Sequence, residues 1–103
     1  MTMLKQMKQQ LVRIIEDAVL SLRWVAKDEM PQVVLETPKE KRHGDFATNI
    51  AMQLSRFAKQ PPRRIAEQLC EQMNLREAFV ERVEIAGPGF INFFMKKSVL
   101  TQI

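Results

Sequence analysis

The sequence predicts an α+β fold: a small antiparallel sheet with helices packed on one face, in the order α-β-β-α-α-β-β. Three observations carry that expectation. Apolar residues recur at three- and four-residue steps from Leu4 to Val25, the mark of an amphipathic helix. Two further helical stripes meet at Pro61-Pro62. The chain then alternates at period two up to Met95, interrupted only by Gly87-Pro88-Gly89. Helices and strands fall in blocks rather than in a regular βαβ alternation, so helices segregated on one face of an antiparallel sheet are expected.

The first helix places Leu4, Met7, Leu11, Ile14, Ala18 and Leu22 on one stripe, widened by Ile15 and Val25. Lys5, Lys8, Arg13 and Glu16 are left to solvent, and the helix is expected to end before Pro31. "QVVLE" (residues 32–36) reads as a short strand stopped by Thr37-Pro38, because proline has no amide hydrogen for a ladder. A second short strand is expected at residues 39–43. Gly44 permits a bend, and Asp45 is read as an N-cap accepting from the free amides of the helix that follows. Phe46, Ile50, Leu54 and Phe57 would then form that helix's inward stripe. Pro62 suits the first turn of the third helix, where no donor is required, with Ile65, Leu69 and Met73 facing inward and Asn74 stopping it.

"AGPGFINFFM" (residues 86–95) closes a hairpin. Gly87-Pro88-Gly89-Phe90 has proline second and glycine third, as a type II turn requires. On the strand that follows, Ile91, Phe93 and Met95 point one way, and Phe90, Asn92 and Phe94 the other. The first set is an ordinary core face. The second either packs under neighbouring structure or presents a ring and an amide to a ligand.

At 103 residues the chain is expected to be a single domain, residues 1–103, with one core. With 46% hydrophobic residues and no low-complexity tract it is not a disordered segment. No run is long enough to span a membrane and no secretory signal is visible, so a cytoplasmic location without membrane contact is expected. The net charge of +4 suits nucleic acid, an acidic partner or a merely solvated surface. The single histidine, His43, and single cysteine, Cys70, form no metal-ligand spacing, and no nucleophile elbow, P-loop or dinucleotide fingerprint occurs. No catalytic residue, metal ligand or cofactor is therefore assigned within the chain, which reads as a binding part.

Three stretches in order, "HGDFATNIAMQL" (43–54), "PPRRIAEQL" (61–69) and "VERVEIAGPGFINFFM" (80–95), resemble the N-terminal additional domain of arginyl-tRNA synthetases. "GDFATN" followed some forty residues later by "AGPGFIN" is the specific pair. The resemblance implies a tRNA-binding module, cut from a longer synthetase, that packs against the D-loop at the outer corner of arginine tRNA. It implies that Phe90 and Asn92 contact a D-loop nucleotide, with Gly87, Pro88 and Gly89 setting the strand's start. It puts Asn49 at a family position facing RNA or another domain. The implied partners are arginine tRNA and the catalytic domain of the parent chain, which would use ATP and Mg to charge the tRNA. No HIGH-like or KMSK-like motif occurs here, so that chemistry would lie elsewhere in the parent.

Bottom-up, the same residues suit RNA: loop bases stack on aromatic rings while amides read their edges. Arg56, Lys59, Arg63 and Arg64, with Lys41 and Arg42 before the "HGDF" motif, are candidate phosphate contacts that would position RNA without reading it. Trp24, Cys70 and Phe94 are assigned to packing. Two rival readings use the same features: a protein-interaction domain docking through this sheet face, and a freestanding ribosome-associated RNA-binding protein.

Overall fold

The structure, a computed structural model, describes residues 3–96. Helix α1 (Met3–Ser21) buries Met7, Leu11, Ile14, Ile15 and Ala18 on the expected stripe, and Val19 beside them. It ends earlier than its periodicity suggests. Arg23 adopts φ +60°, which reverses the chain, and the Ser21 hydroxyl donates to the Ala18 carbonyl at 2.8 Å. Val25 still reaches the core, but from the loop. Lys8, expected in solvent, instead lies half-buried with its Nζ 5.6 Å from the centre of the Phe46 ring.

The strand expected at residues 32–36 is reduced to one bridge. Val33 and Leu35 are buried and Val34 exposed, so the period-two pattern is real. Only Glu36 pairs, however, exchanging both backbone hydrogen bonds with Ala47 at 2.8 Å. Thr37-Pro38 prevents the ladder from continuing. The second strand expected at residues 39–43 is absent: a 3-10 turn, Lys41–His43, occupies its end. Strand β1 (Phe46–Thr48) comes just after it, where a helix was expected. Phe46, Ile50 and Leu54 fit a helical step, but Phe46 and Thr48 also fit period two, and pairing with the hairpin decides between the two readings.

Helix α2 accordingly begins at Ile50 and runs to Ala58. Asp45 is not its cap. Its Oδ2 accepts from the Met95 backbone N–H at 2.8 Å, while its own N–H donates to the Phe93 carbonyl at 2.8 Å. Asp45 thus fastens β1 to the hairpin. The local bond at the helix start is instead made by Thr48, whose Oγ1 accepts from the Ile50 N–H at 3.2 Å. Gly44 provides the expected bend, at φ +91°.

Helix α3 (Pro62–Gln72) opens on proline as expected and buries Ile65, Ala66 and Leu69. Strands β2 (Val80–Ala86) and β3 (Phe90–Met95) form the hairpin. The sheet order is β1-β3-β2, antiparallel throughout, with β3 central. The α+β class is as predicted. Ile91, Phe93 and Met95 from β3, with Phe46 and Thr48 from β1, meet α2, α3 and α1 in one core. The hairpin turn closes one residue earlier than expected: the Gly89 N–H donates to the Ala86 carbonyl at 3.2 Å, and Gly87 takes φ +54°. With Gly87 at positive φ ahead of Pro88 and the strands pairing again at Ala86 and Phe90, the loop is three residues long and is not the type II turn expected. "SVLTQI" (residues 98–103), a further apolar stretch in the sequence, lies outside the described residues.

Candidate nucleic-acid interface

Directly opposed residues on neighbouring antiparallel strands share a face. Ala47 opposes Asn92, and Asn92 opposes Glu84. The bridge at Glu36 adds a fourth member, because Glu36 opposes Ala47. Glu36, Ala47, Asn92 and Glu84 therefore form a row across the face that turns away from the core. Ala86 and Phe90 form the next pair towards the hairpin tip, and Arg82 with Phe94 the pair in the other direction.

Small side chains make this face concave. Ala47 and Ala86 leave space beside Asn92 that larger residues would fill. The result is a groove of about 300 Å³ bounded by Glu36, Pro38, His43, Ala47, Ala86, Phe90 and Asn92. That volume lies at the lower end of the roughly 300–1,000 Å³ usual for small-ligand sites, enough for one base rather than several. A smaller recess continues from it, lined by Val34, Glu36, Ala47, Thr48, Asn49 and Phe90.

Asn92 is the unusual member. It retains only 5% of its surface, yet no group among the described residues hydrogen-bonds its amide. The Asn92 amide is not fully enclosed, so water or a ligand entering the groove can supply its bonds. Phe90, by contrast, stands 40% exposed at the groove's lip, on a strand whose other two phenylalanines are fully buried, Phe93, and half-buried, Phe94. Both residues singled out from the sequence thus meet in one concavity, and Asn49 reaches its extension. The Asn49 Oδ1 accepts from Gln53 Nε2 at 2.8 Å, which fixes the amide's orientation.

The turn residues divide. Gly87 and Pro88 are exposed, but Gly89 is buried against α3. A side chain at Gly89 would come within 2.9 Å of the Pro62 Cβ and 3.0 Å of its backbone carbon. Arg63 strengthens that contact, its Nη1 donating to the Gly87 carbonyl at 3.0 Å. The start of α3 therefore holds the hairpin tip, and with it the position of Phe90.

The candidate cations are exposed but dispersed. Arg63 serves the turn. Arg56 lies 4.9 Å from the centre of the Phe57 ring, and Arg42 pairs with Glu40. Lys59 closes α2 in a left-handed conformation at φ +55°, and Arg64 lies on α3. Lys41 and Arg42 belong to the same 3-10 turn as the groove residue His43.

Sequence reasoning did not place Glu36, His43 or Ala47 in the site. Their membership depends on the bridge at Glu36 and on β1, neither of which the local pattern specified. Among the described residues no group of three or more His, Cys, Asp or Glu could hold a metal ion, and no helix is long and apolar enough to cross a membrane.

Arginine–tRNA ligases of Oceanobacillus iheyensis and Geobacillus thermodenitrificans are each 52% identical to this chain over all 103 residues, and the chain spans 18% of the length of each. Among solved structures, the arginyl-tRNA synthetase of Thermus thermophilus has the same fold over 91% of this chain, with a TM-score of 0.74 at 22% identity and 15% of its own length covered. That of Plasmodium falciparum gives the same TM-score over 91% of this chain, at 14% identity and 17% of its own length. The family model described as the arginyl tRNA synthetase N terminal domain matches residues 5–95. The chain belongs to the arginyl-tRNA synthetase N-terminal domain family.

Proposed function

We propose that this domain binds the D-loop at the outer corner of arginine tRNA and so helps a parent arginyl-tRNA synthetase select and orient its substrate. An unpaired D-loop base enters the groove, stacks on Phe90 and has its edge read by Asn92. The observation that carries this reading is the Asn92 amide, almost buried in a base-sized groove beside an exposed ring and left without a protein partner. An amide supplies one acceptor and two donors, so it distinguishes base edges that a ring alone accepts equally. The 3-10 turn carrying Lys41 and Arg42 supplies phosphate contacts near the same rim. Arginine activation with ATP and Mg, and its transfer to tRNA, belong to a catalytic domain of the parent. This domain's part is binding. Asn49 extends the RNA contact through the adjoining recess.

The test is an NMR titration of the labelled 103-residue chain with arginine tRNA and with a D-loop-substituted transcript at equal salt. Phe90, Asn92 and the exposed Gly87 should shift with the first and less with the second. Phe90→Ala should weaken binding about 5- to 150-fold, the equivalent of the roughly 1–3 kcal/mol typical of one base stack. Ala47→Leu should fill the groove and weaken binding comparably. Asn92→Ala should blunt base preference with a smaller loss of affinity. Shifts spread evenly over Lys and Arg with both RNAs, or none at all, would mean that the face docks on protein instead.

A further inference from the structure

The open face carries a second feature beyond the groove. Arg82 and Phe94 oppose one another across β2 and β3, and the Arg82 guanidinium carbon lies 3.8 Å from the centre of the Phe94 ring. Arg82 Nη2 also reaches Glu84 Oε2 at 3.3 Å, with both side chains about half exposed, at 50% and 51%. A guanidinium held over a ring is a flat, permanently charged plate. At 3.8 Å the guanidinium lies against the Phe94 ring, and half of the Arg82 side chain remains exposed. Phe94, half-buried, packs beneath that guanidinium. It is the base of a layered platform.

The platform lies on the same face of β3 as the groove, two residues beyond Asn92 and four beyond Phe90. At about 3.4 Å per residue these separations are about 7 and 14 Å along the strand. Stacked nucleotides are only about 3.4 Å apart, so the spacing suits a loop whose bases are splayed. Glu84 stands between the two positions, in the row with Asn92. Its carboxylate disfavours a phosphate at the centre of the face, so a strand crossing here must put its bases down and its backbone outward.

We propose that the Arg82–Phe94 stack is a second nucleotide platform, on which another unpaired base of the same RNA strand lies against the guanidinium. The inference rests on the groove reading and extends it from one nucleotide to two. The two positions differ in chemistry. The groove, with its amide, discriminates between bases. The plate has only a flat cationic face to offer, so it accepts any base.

Titrating the 103-residue chain with a mononucleotide and then with an unstructured trinucleotide separates the possibilities. The mononucleotide should shift Phe90 and Asn92 alone. The trinucleotide should also shift the Phe94 ring and the Arg82 Nε–Hε signal, and bind roughly ten-fold more tightly or better. Arg82→Lys, which keeps the charge but loses the plane, should remove most of that gain and leave the salt dependence unchanged. If Arg82→Lys keeps the gain, or the trinucleotide leaves Arg82 and Phe94 unmoved while Phe90 and Asn92 respond, the platform is refuted and the groove reading stands. If neither ligand moves Phe90 or Asn92, the groove reading fails and the platform fails with it.

Discussion

Gly44→Ala tests the join between β1 and the hairpin, on which the whole site depends. At φ +91°, Gly44 holds a conformation that an L side chain rarely adopts, and a Cβ there would lie 2.7 Å from the Phe93 carbonyl oxygen and 3.2 Å from its carbon. Both are backbone atoms of the central strand. No rotamer change can relieve the overlap, so the strand itself must move. The backbone conformation alone costs a non-glycine residue about 1–3 kcal/mol. Displacing packed structure costs a further ~1–3 kcal/mol, as overpacked sites do. Together these give a loss of about 2–6 kcal/mol, against the total of roughly 5–15 kcal/mol expected of a small domain. For this size each kcal/mol shifts Tm by about 4–8 °C, so the variant should melt at least ~8 °C lower. Thermal unfolding followed by circular dichroism reads the shift, and urea unfolding with an unchanged slope assigns it to stability. Phe93 lies between Asn92 and Phe94, so any folded fraction should also bind tRNA more weakly. A Tm change below about 4 °C, less than ~1 kcal/mol, would refute the claim that a close approach of backbones requires glycine here.

The remaining predictions concern the same scaffold. Asp45→Ala should destabilise by about 1.5–3 kcal/mol and speed hydrogen exchange at the Met95 amide, because that donor loses a charged acceptor; loss of protection in the first turn of α2 instead would restore the capping role. Asp45→Asn keeps an oxygen acceptor and should cost about half as much. Burial, and then the neighbouring Glu67 and Glu71 carboxylates, push the Cys70 thiol up to about 11 from 9.0. The fold favours the protonated thiol, so its contribution is fully present below pH 9 and is lost as pH rises towards and through 11. Cys70→Ala should flatten that decline in urea titrations, and native Cys70 should react slowly with a thiol reagent at pH 8.

Periodicity specified the presence of α1, α3 and the hairpin, with boundary signals at Pro62, which starts one helix, and Gly87-Pro88-Gly89, between two strands, although it overran the end of α1. The alternation from Phe90 to Met95 also separated core from open-face positions, because strand side chains change sides at every residue. The short middle of the chain was not legible in this way. Three residues, Phe46, Ala47 and Thr48, satisfy either period, and Asp45 before them looks like a cap whichever partner it finds. Only pairing with β3 made them a strand and turned Asp45 towards Met95. That same pairing drew Glu36 and His43 to the groove and set Ala47 beside Asn92, so that residues up to 56 positions apart line one concavity. A short-range pattern encodes the presence of the long helices and the hairpin and puts Phe90 and Asn92 on one face, but not the end of α1, the exact turn or the strand at Phe46–Thr48. Concavity, the unpartnered amide and the Arg82–Phe94 plate belong to the tertiary structure, because each arises where strands distant in the chain are brought side by side.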